Sequence, residues 1–177
     1  EASNKEGWLS GLAGELLEKR HENGIRLSVA FPMKGNEYPE GQEIAFMSCY
    51  GFPENVSCPE KYDENLEPVL KKIVDKVKPD IVHCFGTEYP HTLAMCRIFP
   101  DKDRLLVGLQ GLCTLYAEAY FADLPEQVVS SVTFRDWLKR DSLRRQQEKF
   151  VLRGNMERES ISLAGNVTGR TKWDRES

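Results

Sequence analysis

The sequence predicts an α/β fold that is doubly wound, with a mostly parallel sheet covered by helices on both faces. The first observation is that short hydrophobic runs bounded by Gly and Pro alternate with longer segments of helical periodicity. The second is that two of these runs, residues 81–85 and 105–109, are almost entirely apolar, which is typical of strands buried on both faces. We expect both runs to be neighbours in one central sheet that also contains residues 25–31.

The chain begins with a predicted helix, in which apolar residues recur at helical spacing until Gly24 closes it. Its apolar positions are Trp8, Leu9, Leu12, Ala13, Leu16 and Leu17. Residues 25–31 then predict a strand that Pro32 stops, and residues 44–50 predict another short strand. Because the first helix of a doubly wound fold normally follows a strand, we expect the fold to lack its first strand.

Residues 63–78 predict the clearest helix, because their apolar residues form one stripe, lysines lie on the opposite side, and Pro79 ends the pattern. The other predicted elements follow in chain order: strand 81–85, a short helix with Leu93, Ala94 and Ile98 on its inner side, strand 105–109, two short helices within 113–129 separated at Leu124-Pro125, a long polar helix 133–163, and an edge strand 166–168.

Composition limits the classes of function. A chain of 177 residues is about one ordinary domain, and its net charge of −4 gives no reason to expect nucleic-acid binding. The sequence has no apolar run long enough for a membrane span, and we expect no signal peptide, because its first residues contain no apolar h-region. The five cysteines are scattered without a CxxC pair, which indicates neither a disulfide framework nor a structural zinc site. We therefore expect a cytoplasmic domain without a metal or another cofactor.

Titratable side chains are concentrated in the stretch "PDIVHCFGTEYPHTLAM", residues 79–95. Open α/β sheets bind ligands beyond the carboxyl ends of their strands, and Gly86, Thr87, Glu88 and His91 follow strand 81–85. Glu88 and His91, three residues apart, would project near one face and could hydrogen-bond a ligand. The alternative is that Thr87 caps the following helix, Glu88 favours its positive end and His91 is a surface residue. His83, inside the strand, is interpreted as a core histidine.

Four further residues occupy positions suited to a ligand. Gly7 opens the first helix, where a glycine lets a phosphate approach free N–H groups, although a single glycine before a helix is more often just a turn. Gln110 and Gly111 follow strand 105–109, so Gly86 and Gln110 should open on one shared crevice. Arg170 follows strand 166–168 and could reach a phosphate or carboxylate, or hold a linker to a following domain.

Several blocks together resemble the N-terminal half of a retaining GT-B glycosyltransferase of family 4. They are "EGWLSGLAGEL", "KPDIVHCFGTEYPHTLAM" and "NVTGRTKWD", with "LLVGLQGLCTLYAEAY" similar to the bacterial branch that has Gln-Gly after the strand. The resemblance covers nearly the whole chain. Single blocks are moderately specific, and their order and spacing make the likeness more specific than any block alone.

The resemblance implies a Rossmann-like domain, residues 1–177, that forms the acceptor side of a two-domain enzyme and lacks the donor-binding C-terminal domain. The enzyme would transfer a sugar from a nucleotide-sugar to a glycan, lipid or small-molecule acceptor, and the isolated domain would be inactive. Catalytic candidates are then Gln110, His91 and Glu88, and candidates for binding the donor phosphate or substrate are Gly7, Gly86, Thr87, Gly111 and Arg170.

Two features qualify this expectation. Many family members have a histidine where this chain has Gln110, which can hydrogen-bond but cannot shuttle a proton at neutral pH, so only a positioning role carries over. Some members bind membranes through basic patches, and residues 133–163 contain eight basic and five acidic residues, a weak indication of a peripheral position at the inner face of the membrane. Otherwise that segment is interpreted as a solvated face.

Two other classes remain as alternatives. A non-enzymatic α/β ligand-binding or regulatory module of the receiver type needs an acidic cluster at its strand ends, and the strand ends here offer Gly-Thr-Glu and Gln-Gly. A small-molecule hydrolase is disfavoured because the chain has no G-x-S-x-G motif, and Cys84 has no obvious base apart from its neighbour His83.

Overall fold

The computed structural model describes residues 7–35, 37–139, 141–169, 171–172 and 174. These residues form a mixed α/β structure in which two small sheets are mostly parallel. The chain divides into two compact units, Glu1–Pro53 and Glu54–Ser177. Among the described residues, none of the helices combines the length and the apolar character needed to cross a bilayer.

In its described residues, 7–35 and 37–53, the first unit contains two helices and a three-stranded sheet. Its elements are α1 (Gly7–Glu18), α2 (Arg20–Asn23), β1 (Ser28–Met33), β2 (Glu40–Ile44) and β3 (Met47–Pro53). The strand order is β1-β3-β2, with β1 parallel and β2 antiparallel to β3. Gly24 ends α2 in the left-handed conformation, as its position after the helical pattern predicted.

Two predictions for this unit are wrong in detail. The single strand predicted at 44–50 is part of a hairpin, because Ala45 and Phe46 both take positive φ (48° and 66°) and reverse the chain. Neither residue type signals such a turn, so the sequence pattern did not separate β2 from β3. Pro32 does not stop β1 but lies inside it, opposite Phe52. Proline is tolerated there because β1 is an edge strand of its three-stranded sheet.

The second unit contains six helices and a second three-stranded sheet among its described residues. Its elements are α3 (Leu66–Val77), β4 (Val82–Phe85), α4 (Pro90–Ile98), a 3₁₀ turn (Lys102–Arg104), β5 (Leu105–Gly108), α5 (Cys113–Glu118), α6 (Glu126–Val129), α7 (Phe134–Lys139), α8 (Leu143–Leu163) and β6 (Asn166–Thr168). The strand order is β4-β5-β6 and both pairs are parallel.

The predicted pairing of the two apolar runs is confirmed, since Cys84 of β4 lies opposite Val107 of β5. Residues 166–168 form the predicted edge strand, with Val167 opposite Val107 on the other side. One part of the prediction is wrong: β1 pairs with β3, so it belongs to a different hydrogen-bonded sheet from β4 and β5. Periodicity identifies strands but does not specify their partners.

The long polar helix predicted at 133–163 is two helices. Ser142 has extended backbone (φ −69°, ψ 158°) directly before α8, so α7 and α8 are separate elements. The two short helices predicted within 113–129 are confirmed as α5 and α6, with Pro125 directly before α6. A proline at that point disfavours helical backbone at the residue before it.

In the second unit α4 packs against both α3 and α8, and the buried side chains of α3 and α4 form part of its core. Leu66, Leu70 and Leu93 are almost fully buried, each stabilising the fold by about 1.5–3 kcal/mol relative to an exposed side chain. Arg97 connects the same three helices, because its Nε donates to Glu159 at 2.8 Å and its guanidinium also contacts Glu67 at 3.4 Å. Glu159, on the polar face of α8, therefore takes part in the packing of α8 against α4.

Candidate functional site

The ends of the parallel strands β4, β5 and β6 meet at one edge of the second sheet. The Gly86 N–H donates to the Gly108 carbonyl at 2.7 Å, and the Leu109 N–H donates to the Thr168 carbonyl at 2.8 Å. A Cβ added to Gly86 would lie 3.6 Å from Cδ of Gln110, so the Gln110 side chain lies beside Gly86. Gly86 and Gln110 therefore lie together at one edge of the sheet, as predicted, whereas the shared crevice on which they were expected to open stays a prediction.

Gly86 allows the Glu88 carboxylate to fold back over the end of β4. Its φ of +84° lies in the left-handed region, which side chains disfavour, and a Cβ there would collide with the Glu88 carboxylate. The Gly86 carbonyl accepts a 2.6 Å hydrogen bond from the buried Thr92 hydroxyl, which fixes this turn against α4. Glu88 and Gln110 therefore present a carboxylate and an amide at the same strand edge.

His91, in the first turn of α4, is held by a carboxylate that sequence analysis missed. The His91 N–H donates to one oxygen of Glu54 at 3.0 Å, and its ring Nδ1 lies 2.8 Å from the other. The Glu54 side chain is only 3% exposed, whereas that of His91 is 22% exposed. When Nδ1–H donates to Glu54, Nε2 of the neutral imidazole carries the lone pair and can act as an acceptor or base.

Glu54 directly follows β3, and a polar residue just past a strand is the same signal that identified Glu88 and Gln110. The strand predicted at 44–50 ends four residues before Glu54, so the sequence pattern does not place Glu54 at a strand end. His91 is therefore not an ordinary surface residue, because a buried carboxylate holds its ring in place.

A second missed residue, Glu157 of α8, connects the loops that follow β4 and β5. It is 1% exposed and accepts four hydrogen bonds. One oxygen accepts from the Thr87 hydroxyl at 2.8 Å and from the Cys113 N–H at 2.9 Å. The other accepts from the Thr114 N–H at 3.0 Å and from the Thr114 hydroxyl at 2.7 Å. Glu157 therefore holds together the loops that follow β4 and β5, and these loops contain Gly86, Glu88 and Gln110.

This network corrects two interpretations. Thr87 does not cap α4, because the residue that precedes this helix is Tyr89 and it makes no side-chain capping bond. The acidic and basic residues of 133–163 are not all solvated, since Glu157 is buried and the Arg153 Nε donates to the Glu88 carbonyl at 3.0 Å. Gly154 allows this approach of α8, because a Cβ there would lie 3.1 Å from Cα of Thr114.

The buried thiols near these strands are poor nucleophiles. Burial raises the pKa of Cys113 to about 11; Arg153 partly opposes this rise, whereas Glu157 and Glu88 add to it. Burial likewise raises the pKa of the Cys84 thiol far above its usual range. Burial lowers the pKa of His83, whose Nε2 has no hydrogen-bond partner in the described part of the chain, so the ring stays neutral. This agrees with a core histidine and gives no support to a thiol hydrolase.

The remaining candidates are distributed over both units. Gly7 is the first residue of α1 in the first unit. Gly111 packs against the Tyr116 ring, which would lie 3.0 Å from an added Cβ. Arg170 lies outside the described residues. Within the described ranges, no group of three or more His, Cys, Asp and Glu side chains is arranged to hold a metal ion.

A separate groove of about 230 Å³ lies between α5 and α8. It is lined by Thr114, Ala117, Glu118, Gln147, Val151, Gly154 and Arg158. None of the residues predicted from the sequence as ligand contacts lines it. The groove is therefore a different surface from the strand edge.

No family model, curated protein or solved structure matches this chain.

Proposed function

We propose that this chain is the acceptor-side, Rossmann-like domain of a two-domain retaining glycosyltransferase that uses a nucleotide-sugar donor. The observation that supports it most is the common edge where β4 and β5 end and where Gly86, Glu88 and Gln110 come together. Parallel strands present such ends to ligands, and the sequence blocks at these ends are those that resemble family 4 enzymes.

The side chains at this edge suit a ligand rich in hydroxyl groups. The Glu88 carboxylate accepts hydrogen bonds, and the Gln110 amide both donates and accepts them. With its Nδ1–H directed at Glu54, the His91 ring would offer Nε2 as a third acceptor in a fixed direction. In the retaining mechanism the leaving phosphate takes the proton of the acceptor hydroxyl, so these groups need only bind and position the acceptor.

The role of His91 and Glu88 can be tested in the protein together with its donor-binding domain. His91→Ala, Glu88→Ala and Glu54→Gln should each lower sugar transfer roughly ten- to hundredfold, because each removes or misdirects a hydrogen bond that involves a charged group. Nucleotide binding should change little, because these residues are proposed to contact the acceptor. Glu148→Gln, an exposed change on α8, is the control.

Turnover equal to the control in all three variants would remove the acceptor site from this edge. Saturable ligand binding without any transfer by the two-domain protein would instead support the non-enzymatic module.

Residues 1–177 tested alone should transfer no sugar, because the groups that neutralise and position the donor diphosphate are assigned to the second domain. Calorimetry with a panel of nucleotide-sugars should give dissociation constants of about a millimolar or weaker, near −4 kcal/mol. Micromolar binding or measurable turnover by these residues would contradict the two-domain proposal.

A further inference from the structure

The helix α7 turns its apolar side toward solvent. Phe134 is 77% exposed, and Trp137 and Leu138 are each 67% exposed. Asp136 is the one residue of α7 that the chain partly covers. Helices at the surface of a globular protein normally turn their apolar stripe toward the core, and α7 does the reverse. The described part of the chain therefore leaves the apolar side of this helix largely uncovered.

The three exposed apolar residues of α7 form one face that carries no charge. At about 100° per residue, they occupy a sector of roughly 100° around the helix. The Phe134 and Trp137 rings contact each other, with centroids 5.9 Å apart and an angle of 28° between their planes. Arg135 lies about 110° from the centre of this sector, and Asp136 and Lys139 each lie about 150° from it. A partner could therefore cover this face, which we call the apolar face of α7, without removing a charge from water.

Two further apolar side chains are exposed shortly before α7. Val128 of α6 is 44% exposed, and Val132, in the loop between α6 and α7, is 57% exposed. The Ser131 N–H donates to the Val128 carbonyl at 3.2 Å, which makes a tight turn between them. A fully accessible Phe or Trp presents about 150–250 Å², and a Leu or Val about 60–120 Å². Scaled by their exposed fractions, the five side chains present roughly 300–550 Å² of apolar surface.

A surface of this size matches what each partner contributes to a protein dimer. Interfaces of standard size take about 800 Å² from each partner, and homodimer interfaces are about 65% apolar. Each copy then needs about 520 Å² of apolar surface, which lies within the range that residues 128–138 present.

We propose that residues 128–138 form the interface of a symmetric homodimer, in which the apolar faces of α7 from two copies pack on each other. In a twofold symmetric contact both copies contribute the same patch, so one apolar face covers another of equal size. The aromatic side chains then lie at the centre, where such interfaces are enriched in Trp and Phe, and the charges of α7 lie at the rim. These residues are distinct from the strand edge, and the proposal does not depend on the glycosyltransferase proposal.

The length and the charges of α7 disfavour two other occupants. Helices that dock in a protein groove use anchors at positions i, i+3, i+4 and i+7, and α7 has six residues and offers only the first three. Helices that lie in a membrane interface flank their apolar face with basic side chains. Here Arg135 and Lys139 lie about 110° and 150° from the centre of the apolar face, and Asp136 lies as far away as Lys139. Basic side chains therefore do not flank this face on both sides.

Sedimentation equilibrium of the chain from about 1 to 500 μM tests the proposal, since interfaces of standard size give micromolar or tighter dissociation constants. We expect a monomer–dimer equilibrium in this range. The double variant Phe134→Ser/Trp137→Ser should raise the dissociation constant at least about hundredfold. Truncating a central aromatic side chain typically weakens an interface about thirtyfold, and a symmetric dimer loses each side chain twice.

The matched control is Ile81→Ser, which replaces an apolar residue that is 69% exposed elsewhere in the second unit. It should dimerise like the unaltered protein, and circular dichroism should show that every variant is folded. A chain that stays monomeric at the highest concentration would overturn the proposal. A dimer that the double variant leaves intact, or that Ile81→Ser weakens as much, would overturn it too. A monomer that floats with phosphatidylcholine vesicles, and no longer does so in the double variant, would overturn it in favour of a bilayer.

Discussion

Replacing Glu157 by glutamine should destabilise the second unit far more than neutralising a carboxylate on a helix usually does. The side chain is almost fully buried and accepts four hydrogen bonds, two from backbone N–H groups and two from threonine hydroxyls. Glutamine has nearly the same shape, so the change alters the charge and one acceptor while leaving the packing intact.

The magnitude follows from the geometry of the two oxygens. One oxygen faces the Cys113 N–H and the other faces the Thr114 N–H. Whichever way the amide of glutamine is turned, its NH₂ group meets one of these donors and leaves it without an acceptor. One unsatisfied buried donor costs about 1–3 kcal/mol, and the remaining hydrogen bonds weaken as the charge is lost. We expect Glu157→Gln to cost about 2–4 kcal/mol, and Glu157→Ala about 3–5 kcal/mol.

Equilibrium unfolding in urea measures this loss, with Glu148→Gln on the same helix as the control. Glu148 is exposed, so its replacement should change the free energy of unfolding by less than about 0.5 kcal/mol. Hydrogen exchange should also become faster at the Cys113 and Thr114 amides in Glu157→Gln. A Glu157→Gln variant as stable as the control, with unchanged exchange, would refute the argument that this carboxylate fixes the two loops.

Three further predictions concern local backbone strain and titration. Gly86→Ala should cost about 1–3 kcal/mol in urea unfolding because of its positive φ, whereas Gly14→Ala in the exposed face of α1 should be neutral or stabilising. Burial lowers the pKa of His83, so the unfolded chain binds a proton at this residue more readily than the folded chain does. The contribution of the neutral His83 ring to the free energy of unfolding should therefore be fully present above about pH 6.5 and be lost as the pH falls through the lower pKa of the folded state. His83→Leu should remove that dependence, and an unchanged profile would contradict it. Burial raises the pKa of Cys96 and Cys113 to about 11, so neither should react with a thiol reagent at neutral pH until urea is added; rapid labelling of either in the folded protein would refute their burial.

Local patterns in the sequence determined the main elements of the second unit. The apolar stripe of α3 and the proline after it predicted a helix close to the observed Leu66–Val77. The two apolar runs became adjacent parallel strands, and the short segment Asn166–Thr168 joined them. Such elements are predictable because periodicity and chain-breaking residues act over a few neighbouring positions. The meeting of Gly86 and Gln110 followed from the same information, since parallel neighbours end at the same edge.

Long-range contacts were decided only by the tertiary structure. Ala45 and Phe46 reverse the chain, although neither is a residue type typical of turns. The pairing of β1 with β3 was likewise not predictable from the local pattern. Glu54 and Glu157 each bind groups dozens of residues away. The strand-end position of Glu54 becomes visible only once β3 is known to continue to Pro53, and nothing nearby in the sequence distinguishes Glu157 from a solvated carboxylate. The physical reason is that burial of a charge depends on which donors the folded chain brings around it. That arrangement arises from the packing of whole elements and leaves no periodic signal in the sequence.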